Sequence, residues 1–332
     1  MNKSTWKFLL VMICITSSSF THLHSQIKDK IYGTAGDFKA FQKRTLVVEL
    51  QEEDAKTIEK LSKKKKGDDL EKYKRFITDY NAFIKEVVDK YWTLNEKKEY
   101  KTASEVKELR DAKNNKYVIM SYYELSDKGG DVATRSGLEV PALLYSRAEK
   151  EPGKQPDYQI YLPSSYTREN SEYMKYDFAF AVQAMQANIQ YIIKTSKPIN
   201  FEDWAKVISE TNCPKLKSKT LLVDKAKMKE KATVSDIKSV YEGEFKITTA
   251  DDLDKSYTSQ TKGDAVLFLI PFGLMKTSGS VVSSARLVYL RVAADCETGE
   301  ILFIFEPGAI GTFLDDTIRE NDFKKMTNCK FK

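Results

Sequence analysis

The sequence predicts an α/β fold (mixed α+β) built as two tandem related β-α-β-α-β-β-β-α units, each a mixed sheet covered by helices. Three observations predict it. Leu70, Tyr73, Ile77, Tyr80, Ile84, Val87 and Tyr91 step by three and four residues and so share one helical face. The strand Glu99-Tyr100-Lys101 runs into Thr102-Ala103-Ser104-Glu105, and 147 residues after that Thr the strand Phe245-Lys246-Ile247-Thr248 has run into Thr249-Ala250-Asp251-Asp252. Both tetrads have the Thr-x-x-acid pattern of a capping box, so each starts a helix. Finally, the strand signals are apolar runs more than alternations, as expected where both faces of a sheet are buried.

The elements follow in order. Residues 26–43 have no clear period and read as an N-terminal arm. Thr45-Leu46-Val47-Val48-Glu49-Leu50 is the first strand by its β-branched and apolar run. Lys63-Lys64-Lys65-Lys66 lacks interleaved aromatics and reads as a solvated loop ahead of the long helix. Phe76, Phe83 and Val88 widen that helix's stripe, so it should pack across a sheet. After the capped helix come strands at 116–125, 140–145 and 158–163, then an amphipathic helix over 171–194 with Phe178, Val182, Met185, Ile189 and Ile192 on one face.

The second half repeats this order. Thr220-Leu221-Leu222-Val223-Asp224 answers the first strand, a short helix covers 234–241, and strands follow at 245–248, 265–270, 287–293 and 301–307. A Gly/Ser loop, Lys276 to Arg286, answers the loop Asp127 to Gly137, and a last helix runs from Phe313 to Cys329. The division is therefore 1–25 signal peptide, 26–43 arm, 44–196 first unit, 197–218 linker and 219–332 second unit. The second unit lacks most of the long helix. Part of its sheet should be covered by something else, the first unit being the candidate, through a broad interface.

Lys3 and Lys7, an apolar run from Phe8, and a small polar stretch ending before Gln26 have the form of a secretory leader. The run is about half the length of a bilayer span, so no transmembrane anchor is expected. Both histidines, His22 and His24, fall in that leader, and their loss removes imidazole acid/base chemistry and His-containing metal sites from the mature chain. Without Lys3 and Lys7 the net charge falls from +6 to +4, too mild to argue for nucleic acid. Cys213, Cys296 and Cys329 remain, and in an oxidising compartment three thiols allow one internal bridge in any of three pairings.

The candidates for chemistry are few. Asp251, Asp252 and Asp254 could supply a carboxylate pair, but read more simply as first-turn acids facing a helix dipole, as do Asp315 and Asp316. The turn from Glu306 to Thr312 matches no phosphate-binding fingerprint. If the two units are related by an approximate twofold, Arg135 and Ser136 from one loop and Ser283, Ser284 and Arg286 from the other face a shared cleft suited to an anionic or polar ligand. No metal or cofactor is expected.

The Lys-rich composition, the Ser-Gln leader end and the run Tyr91-Trp92, Tyr100, Ser104-Glu105 resemble those of uncharacterised secreted proteins from Bacteroidetes bacteria. The resemblance covers about a third of the first unit and implies export alone. The expected function is an exported, non-catalytic binding or interaction module for a protein or a small polar or anionic ligand. The alternative is a carboxylate-dependent hydrolase acting on a glycan or other cell-envelope substrate.

Overall fold

A computed structural model describes residues 33–63, 67–126, 139–150, 156–163, 174–196, 201–230, 232–278, 283–305 and 317–329. Its strands are β1 Thr45–Leu50, β2 Lys98–Thr102, β3 Tyr117–Ser126, β4 Glu139–Arg147, β5 Tyr158–Tyr161, β6 Thr220–Asp224, β7 Glu244–Thr248, β8 Asp264–Ser278, β9 Ser283–Asp295 and β10 Ile301–Phe305. Its helices are α1 Ala35–Phe41, α2 Ala55–Lys63, α3 Gly67–Tyr91, α4 Ala103–Asp111, α5 Lys175–Thr195, α6 Phe201–Leu216, α7 Val234–Val240, α8 Ala250–Thr258 and α9 Glu320–Thr327. The fold is mixed α/β, with two five-stranded sheets of one topology, β2-β1-β3-β4-β5 and β7-β6-β8-β9-β10.

The match extends to register. The first three strands of each sheet are parallel, the rest antiparallel. Thr45 lies beside Tyr117 and Thr220 beside Asp264, while Leu46 lies beside Lys98 and Leu221 beside Phe245. Both partners in the second sheet are 147 residues beyond those in the first. Two sheets so alike suggest an internal repeat.

Right-handed crossovers place successive helices on opposite faces, because β2 lies on one side of β1 and β3 on the other. We call front the face that carries α3 in the first sheet and α7 in the second, and back the face that carries α4 and α8. The front of the first sheet presents Leu46, Val48, Val118 and Met120 to Tyr80, Ile84 and Val87 of α3 and to Phe178, Val182 and Met185 of α5. The same hydrophobic core takes in Leu222, Val266, Phe268 and Val292, which form the back of the second sheet. The front of that sheet, with Leu221, Val223 and Leu267, has a separate core with Ile237 of α7 and Phe323 and Met326 of α9. The units are thus stacked head to tail, front on back, and α5 is the layer between them.

The expected broad interface is present, but the first unit covers the back of the second sheet, not the front that lost the long helix. That front is closed by α7, α9 and the end of α6. Buried between two sheets, α5 is apolar over more of its circumference than one stripe, and Ala179, Phe180, Ala181 and Ala184 are buried with the predicted residues. Gln186 of α5 accepts from the backbone of Thr93 and Leu94, at 2.6 and 3.0 Å, and fixes it to the first unit.

Helices also occupy the stretches read as arm and linker. In α1, a capping box between Thr34 and Asp37 starts a helix whose Phe38 and Phe41 enter the core. Along edge strand β10, the hydroxyl of Ser209 in α6 donates to the Ile304 carbonyl at 2.8 Å and accepts from its N–H at 3.3 Å. This edge is covered instead of open. Cys213 of α6 is bridged to Cys329, which follows α9, and Cys296 is a buried free thiol.

Three local expectations change. The stretch from Lys276 to Arg286 is mostly a hairpin, with β8 reaching Ser278 and β9 beginning at Ser283. The last helix begins at Glu320, after Ile318 has bridged Met228. Helix α8 has half a capping box: Thr249 accepts the Asp252 N–H, while the Asp252 carboxylate takes the hydroxyl of Thr248.

Candidate functional site

The back of the first sheet carries a polar cluster where the second sheet is mostly apolar. Val48 of β1 lies beside Met120 of β3, so the next residues, Glu49 and Ser121, are neighbours on the opposite face. Tyr123 is two residues along and shares that face. Helix α4 brings the fourth member. Its N-terminus is fixed by the predicted capping box of Thr102 and Glu105, Val106 packs on Val47 and Ile119, and Arg110 lies in the last turn.

The contacts make one connected set. The Ser121 hydroxyl donates to Glu49 Oε2 at 2.6 Å, and Arg110 Nη2 donates to Ser121 Oγ at 3.2 Å. Arg110 Nη1 donates to the Lys150 carbonyl at 3.0 Å. Exposed Glu52, just beyond β1, accepts from the Ser104 N–H at 2.9 Å and so ties the strand end to the start of α4. Glu49, Tyr123 and Arg110 are half-buried around Ser121, which is 1% exposed. Among the described residues, Glu49 Oε1 and the Tyr123 hydroxyl have no hydrogen-bond partner.

Burial sets the electrostatics. It pushes the Glu49 carboxyl above its ordinary range, against the stabilising Ser121 hydroxyl and the Arg110 charge, with Glu52 adding repulsion. It also raises the Tyr123 phenol, with the Glu49 charge second, and lowers Arg110 against the pull of Glu49. With Ser121 this deep, its hydroxyl is a link between carboxylate and guanidinium rather than a nucleophile presented to a substrate.

No family model, curated protein or solved structure matches the chain. The comparison open to it is with itself. Register places Asp224 where Glu49 stands, Phe268 for Ser121, Ile270 for Tyr123 and Ala294 for Ser146, and the α4 to α8 correspondence places Tyr257 for Arg110. Phe268 packs its ring 4.5 Å from Phe180, 5.5 Å from Tyr176 and 5.2 Å from Tyr257, centroid to centroid. The fold therefore accepts large apolar residues at positions where the first unit has Ser, Tyr and Arg. Ser146, buried on the same face, has a hydroxyl with no partner among the described residues.

The residues singled out from sequence lie elsewhere. Arg135 and Ser136 are outside the described residues. Ser283, Ser284 and Arg286 fall on β9, in register with Ser278, Thr277 and Met275 of β8. The expected shared cleft needs Arg135 and Ser136 and so lies outside the described residues.

The acids of α8 have separate tasks. Asp251 and Asp252 are exposed, and the Thr248 hydroxyl holds the Asp252 carboxyl below its usual range. Asp254 accepts the Tyr176 N–H at 2.8 Å, capping α5 from the other unit. Asp315 and Asp316 lie outside the described residues. None of the cluster Glu49, Ser121, Tyr123 and Arg110 was anticipated. The signal available was the repeat itself, read position by position for places where one copy is polar and the other apolar.

Proposed function

We propose that this chain is an exported, non-catalytic binding module whose ligand face is the back of the first sheet. One observation carries the reading: three positions of this face that hold Phe268, Ile270 and Tyr257 in the second unit hold Ser121, Tyr123 and Arg110 in the first, beside an acid that both units keep as Glu49 and Asp224. Polar residues at positions that the repeat can also fill with apolar ones, grouped toward the carboxyl ends of parallel strands, are where an α/β sheet offers a ligand site. Export is supported by the leader pattern and by the Cys213–Cys329 bridge, which suits an oxidising compartment. The non-catalytic reading is supported by the engagement of Asp252 with the Thr248 hydroxyl, by the capping role of Asp254 and by the depth of Ser121.

The test uses residues 26–332 with a panel of short glycans and peptides, reading hydrogen exchange and product formation together. Binding should protect β1 and β3 amides, and Glu49→Gln should weaken it with no product formed. Turnover that disappears in Glu49→Gln would instead establish the hydrolase alternative. Protection confined to other strands would remove the site.

A further inference from the structure

We propose that this face takes an uncharged, hydroxyl-rich ligand, a short glycan, in preference to an anion or a cation; the inference rests on the binding-module reading above. Charge balance is the first argument. Glu49 and Arg110 are joined through Ser121 and offset each other, and exposed Glu52 stands at the rim. An anion approaching Arg110 meets the Glu49 carboxylate, and Arg110 has already committed donors from both Nη atoms to Lys150 and Ser121. A cation approaching Glu49 meets the guanidinium within the same linked set. A neutral ligand meets neither opposition.

The unused hydrogen-bonding capacity points the same way. Among the described residues Glu49 Oε1 accepts nothing and the Tyr123 hydroxyl is unengaged, so the face offers a strong acceptor beside a group that both donates and accepts. A sugar ring presents hydroxyls with both capacities at adjacent carbons. Tyr123 adds a half-buried aromatic ring on the same strand face, an apolar surface with a polar tip, which suits the C–H face of a pyranose. Hydroxyls donating to Glu49 also return to its carboxylate the hydrogen bonds that burial takes from it.

Titration calorimetry on residues 26–332 tests this with neutral tetrasaccharides of the cello, malto and chito series, an anionic galacturonate tetramer and a cationic glucosamine tetramer. At least one neutral series should bind about tenfold more tightly than either charged oligomer. Tyr123→Ala should lower that affinity at least about tenfold, and Tyr123→Phe, which keeps the ring and the fold, should lose less. Tighter binding of a charged oligomer, or equal affinity in Tyr123→Ala, overturns the inference. If a peptide or charged oligomer binds with Glu49 dependence, the glycan inference falls and the binding-module reading survives. If no ligand protects β1 and β3, both fall.

Discussion

Replacing Phe268 with Ala tests the head-to-tail stacking directly. Phe268 is 2% exposed and belongs to the second sheet, yet two of its three ring contacts, Tyr176 and Phe180, are on α5 from the first unit. Truncating a buried Phe costs about 3–5 kcal/mol, transfer and cavity terms together, and the three ring pairs favour the upper part of that range. We expect a loss of about 4 kcal/mol. The position equivalent by register is Ser121, where Ser121→Ala removes a hydrogen bond to a carboxylate and should cost about 1.5–3 kcal/mol. Denaturant unfolding followed by fluorescence reports on both units, because Trp92 and Trp204 lie on opposite sides of α5 in sequence and in one core. In the unmodified chain the fluorescence and far-UV circular dichroism transitions should coincide, as a shared core requires. A cost below about 1 kcal/mol for Phe268→Ala would mean that the two sheets do not share a core through α5 and would refute the stacking.

Three further outcomes can be measured. Cys213→Ala with Cys329→Ala opens a loop with a sequence separation of 116, which on chain-entropy grounds costs up to about 5 kcal/mol, visible as a lower denaturant midpoint, while Cys296 should resist alkylation until unfolding. Burial pushes Asp177 well above the carboxylate range, with Met174 N–H and Lys227 opposing and Asp254 and Asp224 adding to the shift. A folded pKa above the unfolded value means stability is fully present below about pH 4 and is lost as pH rises through the folded value, so Asp177→Asn should flatten the fall in stability toward neutral pH, and an unchanged slope would contradict the assignment. Ser209→Ala leaves the Ile304 N–H and carbonyl without their hydroxyl partner on a covered edge, and urea titration should show a loss of about 1–3 kcal/mol.

What could be read from the sequence was local. The stripe on α3 and the Thr102–Glu105 box depend on residues three or four apart, and both hold in the structure. The Thr249 box needed one more neighbour, because Thr248 competes for the Asp252 carboxylate. The length of β8 and β9 was hidden by their Gly, Ser and Thr content, since pairing with the opposite strand, not composition, extends them to Ser278 and Ser283. Helix α6 reads poorly because Pro214 sits inside it and its apolar residues are divided between two cores. The cluster on the first sheet was the least legible part, because Glu49, Arg110 and Ser121 are brought together by parallel pairing and a crossover rather than by spacing.

The stacking limits where a distinctive function can reside. Two units with a front and a back each have four faces, and joining front to back uses two of them. The front of the second sheet is closed by α7 and α9, the counterparts of the helices that cover the first sheet's front. The back of the first sheet remains, with Val106 and Leu109 of α4 as its described helical cover. A face relieved of packing against a neighbouring unit no longer needs the ring of Phe268 or the bulk of Ile270. It can hold Ser121 and Tyr123 without loss of the inter-unit core. The polar residues are thus placed where the repeat leaves a sheet face without a partner unit among the described residues.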